Sequence, residues 1–142
     1  MVTDSIMGIQ VEENNTLSFG NFLTKDKQKI NDFFVENDTY SLRTYDQATK
    51  LEKNTELALE TVPGTAIHNF YKPNKEAVSF HVQGYASTII TIGLEPNTLY
   101  RIKSSKQNLG SMASNSSGKV KFSLDLSNGK PQAISVEKLQ TL

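Results

Sequence analysis

The 142-residue sequence predicts an all-β chain folded as an antiparallel β-sandwich of about ten strands. Two observations carry that expectation. Apolar side chains recur at every second position in one run after another, as half-buried antiparallel strands require. Turn-forming Gly, Pro, Asn and Asp then interrupt those runs at intervals of roughly 8–12 residues.

Along the chain, "EENN" (12–15) is the first turn signal. The next stretch, "LTKDKQKINDFF" (23–34), is the one candidate helix. Leu23, Ile30, Phe33 and Phe34 fall at loosely helical spacing behind Thr24 as an N-cap, although "INDFFVEN" also reads as a strand. After "ENDT" (36–39), "TYSLRTY" sets Tyr40, Leu42 and Thr44 on one face and Ser41, Arg43 and Tyr45 on the other. "EKNT" (52–55) precedes "TELALET", where Leu57 and Leu59 share a face. "VPGT" (62–65) leads into "AIHNFYK", whose alternation leaves the side taken by His68 open. "KPNK" (72–75) introduces "EAVSFHVQG", with Val78, Phe80 and Val82 inward and Ser79, His81 and Gln83 outward. "STIITIGL" aligns Ile90, Ile92 and Leu94, and "EPNT" (95–98) follows. "NSSG" (115–118) opens "GKVKFSLDL", in which Val120, Phe122, Leu124 and Leu126 alternate with Lys119, Lys121, Ser123 and Asp125. "SNGKP" (127–131) is the last turn. One domain over 8–138 is expected, with residues 1–7 and 139–142 as loose ends.

Composition narrows the function. Hydrophobic residues make up 37% and charged residues 21%, enough for a packed core. Fifteen basic residues balance fifteen acidic ones, so no bulk field draws nucleic acid or an anionic membrane, and neither partner is expected. With no Cys there is no disulfide, thiolate nucleophile or Cys-based metal site. The N-terminus lacks the basic and apolar regions of a signal peptide, and no run of about 20 apolar residues is present to span a membrane. A soluble chain, or one domain of a longer protein, is the expectation.

Catalytic signatures are weak. The two His, His68 and His81, lack ligand spacing, no G-x-S-x-G elbow occurs, and the acidic residues sit in turns or on polar faces where solvated charge belongs. A small hydrolase or lyase with a carboxylate pair is the weakest reading. No cofactor is expected, save that Glu36, Asn37 and Asp38 offer oxygen ligands for a structural calcium. Tyr45, Tyr71 and Tyr85 are the aromatics on polar faces or strand ends. Exposed rings beside polar side chains are how a protein stacks and hydrogen-bonds a sugar. Arg43, Tyr45, Tyr71, His81, Gln83 and Tyr85 are therefore the candidate ligand-binding residues.

"GLEPNTLYRIKSS" resembles the strand signature of fibronectin-III-like and related bacterial β-sandwich modules, with Leu94, Pro96, Thr98, Tyr100 and Ile102 in its positions. "GSMASNSSGKVKFSLDL" resembles the closing hairpin of accessory modules from secreted polysaccharide-active enzymes, through Ser114, Asn115, Gly118, Val120, Phe122 and Leu124. The resemblance covers about residues 93–138. It implies that Tyr100 packs at a corner with its hydroxyl bonded back to the preceding turn. Since the chain is longer than a plain fibronectin-III domain of roughly 100 residues, a jelly-roll-like or extended immunoglobulin/fibronectin-III-like sandwich is expected. The function implied is that of a non-catalytic accessory module of a larger extracellular or cell-surface bacterial polysaccharide-processing protein. Its partner would be a polysaccharide or a neighbouring catalytic domain. The absence of Cys is equally compatible with the cytoplasm. The rival expectation is a structural or assembly module of surface or phage-tail type, making protein–protein contacts.

Overall fold

A computed structural model describes residues 8–105 and 108–142, and within them the chain is all-β with no helix. Thirteen strands follow one another: β1 (Ile9–Val11), β2 (Leu17–Phe19), β3 (Gln28–Val35), β4 (Asp38–Tyr45), β5 (Ala48–Lys53), β6 (Glu56–Val62), β7 (Ala66–Asn74), β8 (Ala77–Gln83), β9 (Ser87–Gly93), β10 (Thr98–Ser104), β11 (Asn108–Ala113), β12 (Lys119–Asp125) and β13 (Gln132–Thr141). They form two antiparallel sheets. One has seven strands in the order β1-β2-β7-β8-β13-β10-β11, and the other has six in the order β12-β9-β6-β5-β4-β3. The expected loose N-terminus, residues 1–7, lies outside the described residues. At the other end the expected tail is strand: β13 runs on past 138, pairing Gln140 with Leu99 and Thr141 with Thr98.

The period-two runs face each other across one core. Val120, Phe122 and Leu124 of β12 and Ile90 and Ile92 of β9 come from the six-stranded sheet. They meet Val78, Phe80 and Val82 of β8 and Ile134 and Val136 of β13 from the other. Polar residues inside this layer are paired. Thr44 and Thr49 share a hydrogen bond of 2.8 Å, Thr49 donates to the Thr65 carbonyl at 2.9 Å, and Thr61 bonds Thr65 at 2.8 Å. Among the described residues no buried side-chain N or O lacks a partner, as a stable interior demands.

The candidate helix is an edge strand. In β3 the pairing with β4 shifts between Ile30 and Phe33, where Asp32 takes φ 58°. One extra residue in a strand resets the side-chain phase. Ile30 and Phe33 therefore both turn toward the core although three residues apart, a spacing that imitates a helix. Thr24, the expected cap, instead accepts a bond from the Asp26 amide at 3.3 Å in a local turn.

Tyr100 occupies the corner position. It is fully buried, and its hydroxyl accepts from the Glu95 amide at 3.0 Å and donates to the Lys75 carbonyl at 2.8 Å. The ring thereby ties the 95–98 turn to the turn between β7 and β8. The expected closing hairpin is not one: β11 pairs with β10 and β12 with β9, so the 114–118 turn carries the chain from one sheet to the other. Gly118, at φ 83°, sits there where any Cβ would strike the Leu94 carbonyl.

Candidate functional site

The outer face of the seven-stranded sheet carries a trough built by four neighbouring strands. The register places Tyr71 of β7 beside Ser79 of β8, Ser79 beside Ser135 of β13, and Ser135 beside Lys103 of β10. A second row runs alongside it: His68 opposite His81, and His81 opposite Ala133. Three inter-strand steps give the row a span of about 14 Å. Small side chains at Ser79, Ala133 and Ser135 form a low floor, while Tyr71 and Lys103 stand at its two sides. The trough is open to solvent and has a volume of about 540 Å³.

Local sequence accounts for this relief. The strict alternation of "AVSFHVQ" drives Val78, Phe80 and Val82 into the core and leaves Ser79, His81 and Gln83 outward. In β7 the register shifts between His68 and Tyr71, with Asn69 at φ 56°. That irregularity turns both Ile67 and Phe70 inward and leaves the Tyr71 ring 49% exposed on the outer face. It also explains why the alternation of this segment is ambiguous in sequence. One end of the trough is held rigid: the Asn69 side-chain amide donates to Thr16 Oγ1 at 3.0 Å, the Asn69 backbone amide to Ser18 Oγ at 3.2 Å, and the Thr16 hydroxyl to Asn14 Oδ1 at 2.6 Å. At the other end the Ala133 amide donates to Ser105 Oγ at 3.2 Å, and the Ser105 amide to the Ala133 carbonyl at 2.8 Å.

Of the six candidate residues, Tyr71 and His81 lie together in this trough. Gln83 shares their sheet face, but its amide donates to the Gly129 carbonyl at 2.9 Å and so braces the turn before β13. Arg43 and Tyr45 belong to β4 in the opposite sheet, so Arg43 and His81 cannot grip one ligand. Tyr45 lies under the Lys27 ammonium, 5.2 Å from the ring centroid. Tyr85 stacks on Phe22 with centroids 5.9 Å apart, and its hydroxyl donates to the Asp46 carbonyl. Burial, then the Asp46 carboxylate, push its phenol pKa up. Tyr85 thus staples two loops. Ser79, Ser135 and Lys103 were not among the candidates. Ser79 is visibly outward in its run, but nothing in the sequence says that β8 lies against β13 and β13 against β10.

The carboxylate of Asp38 is engaged by the Asn54 side chain at 2.9 Å and by Lys53 at 3.7 Å. Among the described residues no three His, Asp or Glu side chains gather as metal ligands. A second hollow, of about 660 Å³, runs from the outer face of the six-stranded sheet to the turns at its end; five Lys and three Glu are among its lining residues, and no aromatic ring is. No helix among the described residues is long and apolar enough to cross a membrane. No family model matches the chain, and no curated protein or solved structure is significantly similar to it.

Chemically, the trough offers one exposed phenol ring, an imidazole, an ammonium and several hydroxyls and amides over a shallow floor. A flat ring over small polar residues suits a ligand with an apolar face and hydroxyl edges. Rings of that kind stack on C–H faces, and the hydroxyls exchange donor and acceptor roles freely.

Proposed function

We propose that this chain is a non-catalytic module that binds carbohydrate in the trough formed by Tyr71, Ser79, Ser135 and Lys103. The observation that carries the reading is the cross-strand row itself: an exposed aromatic ring at one side, a cation at the other, and serines between them. In this reading Tyr71 stacks under a pyranose face. His81 and Ser135 bond its hydroxyls, and Lys103 reaches a ring oxygen or a neighbouring hydroxyl. An extracellular bacterial polysaccharide-processing protein as the larger setting is part of the proposal and rests on the resemblance of residues 93–138.

Affinity electrophoresis of the domain through gels cast with plant, bacterial and host polysaccharides tests it. Retardation by at least one neutral polymer is expected, with Tyr71→Ala weakening it about tenfold or more, as loss of a central aromatic contact does. Retardation by a neutral polymer that Tyr71→Ala leaves intact, or none across the neutral members of the panel, would overturn the assignment.

A specific feature favours the assembly reading as the second choice. Phe34 is 71% exposed on β3, one of the two edge strands of the six-stranded sheet among the described residues, and an apolar ring on a sheet edge invites another chain. A light-scattering mass above that of the 15.8 kDa monomer, lowered by Phe34→Lys, would support it.

A further inference from the structure

We infer that the outer face of the six-stranded sheet is a second binding site, for a linear polysaccharide bearing carboxylates along its length. The inference is independent of the trough on the other face. Its basis is one row of the sheet. The register aligns Lys29 with Arg43, Arg43 with Lys50, Lys50 with Glu60, Glu60 with Thr91 and Thr91 with Lys121. One side chain from every strand of the sheet thus stands in a line about 24 Å long. Four of the six are cations.

The charge of this face is far from that of the whole chain. Two hollows share Lys50 and Glu52 and together gather seven Lys and Arg against three Glu. Five of the seven cations stand on the six-stranded sheet, and Lys72 and Lys75 reach in from β7 and the turn after it. The chain as a whole carries fifteen of each sign. Lys29, Arg43 and Lys121 make no ion pair with another described residue. Inside the larger hollow Lys72 Nζ donates to the Gly93 carbonyl at 2.7 Å. Burial first, then the ammonium groups of Lys75 and Lys53, push its pKa down to about 8. Glu56 opposes that shift, and a carboxylate bound beside Lys72 would oppose it further.

The shape of the charge selects the ligand. The cations run across the strands on a sheet face, whereas a peptide added to a sheet runs along an edge. Non-specific single-strand nucleic-acid sites interleave cations with aromatic rings for base stacking, and no aromatic side chain lines either hollow. A polyuronate places a carboxylate on every sugar ring, a repeat comparable with the strand spacing. Its hydroxyls find Asn115 and Ser117 beside the row.

The test uses the purified protein in native gels containing polygalacturonate, neutral galactan of similar length, or oligodeoxythymidylate. Polygalacturonate is expected to retard the protein, added salt to relieve the retardation, and the other two polymers to act weakly. Lys29→Gln, Arg43→Gln and Lys121→Gln should each weaken binding about two- to fivefold. The triple variant should run as in a blank gel, and all four should melt at the wild-type temperature. Three results would overturn the inference: no retardation by polygalacturonate, retardation that the triple variant keeps, or equal retardation by the oligonucleotide.

Discussion

Replacing Tyr100 by Phe isolates one atom of the corner. The ring is completely buried, and Phe refills its volume, so the hydrophobic contribution is nearly conserved. What disappears is a hydroxyl that accepts from the Glu95 amide at 3.0 Å and donates to the Lys75 carbonyl at 2.8 Å. Leaving a buried peptide group without its partner costs about 1–3 kcal/mol. Glu95 and Lys75 reach solvent with their side chains, so water recovers part of the loss for their peptide groups. A net destabilisation of about 2 kcal/mol is expected, read as a fall of roughly 4–8 °C in Tm for a domain of this size. Urea unfolding should show the midpoint moving while the slope m stays constant. The same substitution bears on alkaline unfolding. Burial leads the causes that raise the Tyr100 phenol above its usual value. The folded state therefore holds that proton more tightly than the unfolded chain does. The contribution is complete below about pH 10 and is lost as pH rises beyond it. Tyr100→Phe should lose less stability than wild type over that alkaline range. A destabilisation under about 0.5 kcal/mol at neutral pH would refute the corner account.

Other predictions follow from the same geometry. Phe122→Ala should cost about 3–5 kcal/mol in chemical denaturation, because its ring is buried between the sheets; a change below about 1 kcal/mol would mean that the strand phase is wrong. Tyr71→Ala should move the melting temperature by little, since its exposed ring makes a small contribution to the core; a loss above about 1.5 kcal/mol would reassign it from ligand contact to packing. Lys72 is depressed to about 8, so the unfolded chain binds its proton more tightly, and stability should rise as pH climbs from about 8 toward 10.5. In Lys72→Met that increment should vanish, and an unchanged pH profile would show that the ammonium is not desolvated in the fold.

Where strands obey strict alternation, the sequence alone placed the side chains. Val120, Phe122 and Leu124 are buried, with Lys119, Lys121 and Ser123 outside; Tyr40, Leu42 and Thr44 follow the same rule. The strand count fell short for physical reasons. β1 and β2 are three residues each, too short to display a period. β3 hid behind a bulge whose spacing looks helical, and β7 behind two register shifts. The expected tail became strand because Glu137 to Thr141, with Leu139 as its one apolar residue and that one exposed, carries no apolar alternation yet pairs backbone to backbone with β10. For the site, the outward setting of Tyr71 and His81 was legible one strand at a time. Their union with Ser135 and Lys103, and their separation from Arg43, depend on which strands adjoin. That information resides in long-range pairing and not in any local window.

Carbohydrate binding in the trough is tested most directly by amide chemical-shift mapping. The ¹⁵N-labelled protein would be titrated with a panel of neutral cello-, xylo-, manno- and galacto-oligosaccharides. Saturable shifts are expected at Tyr71, Ser79, His81, Lys103 and Ser135 with at least one of them, and no comparable shifts across β4 and β5. Shifts that cluster elsewhere, or a spectrum that no sugar in the panel moves, would contradict it.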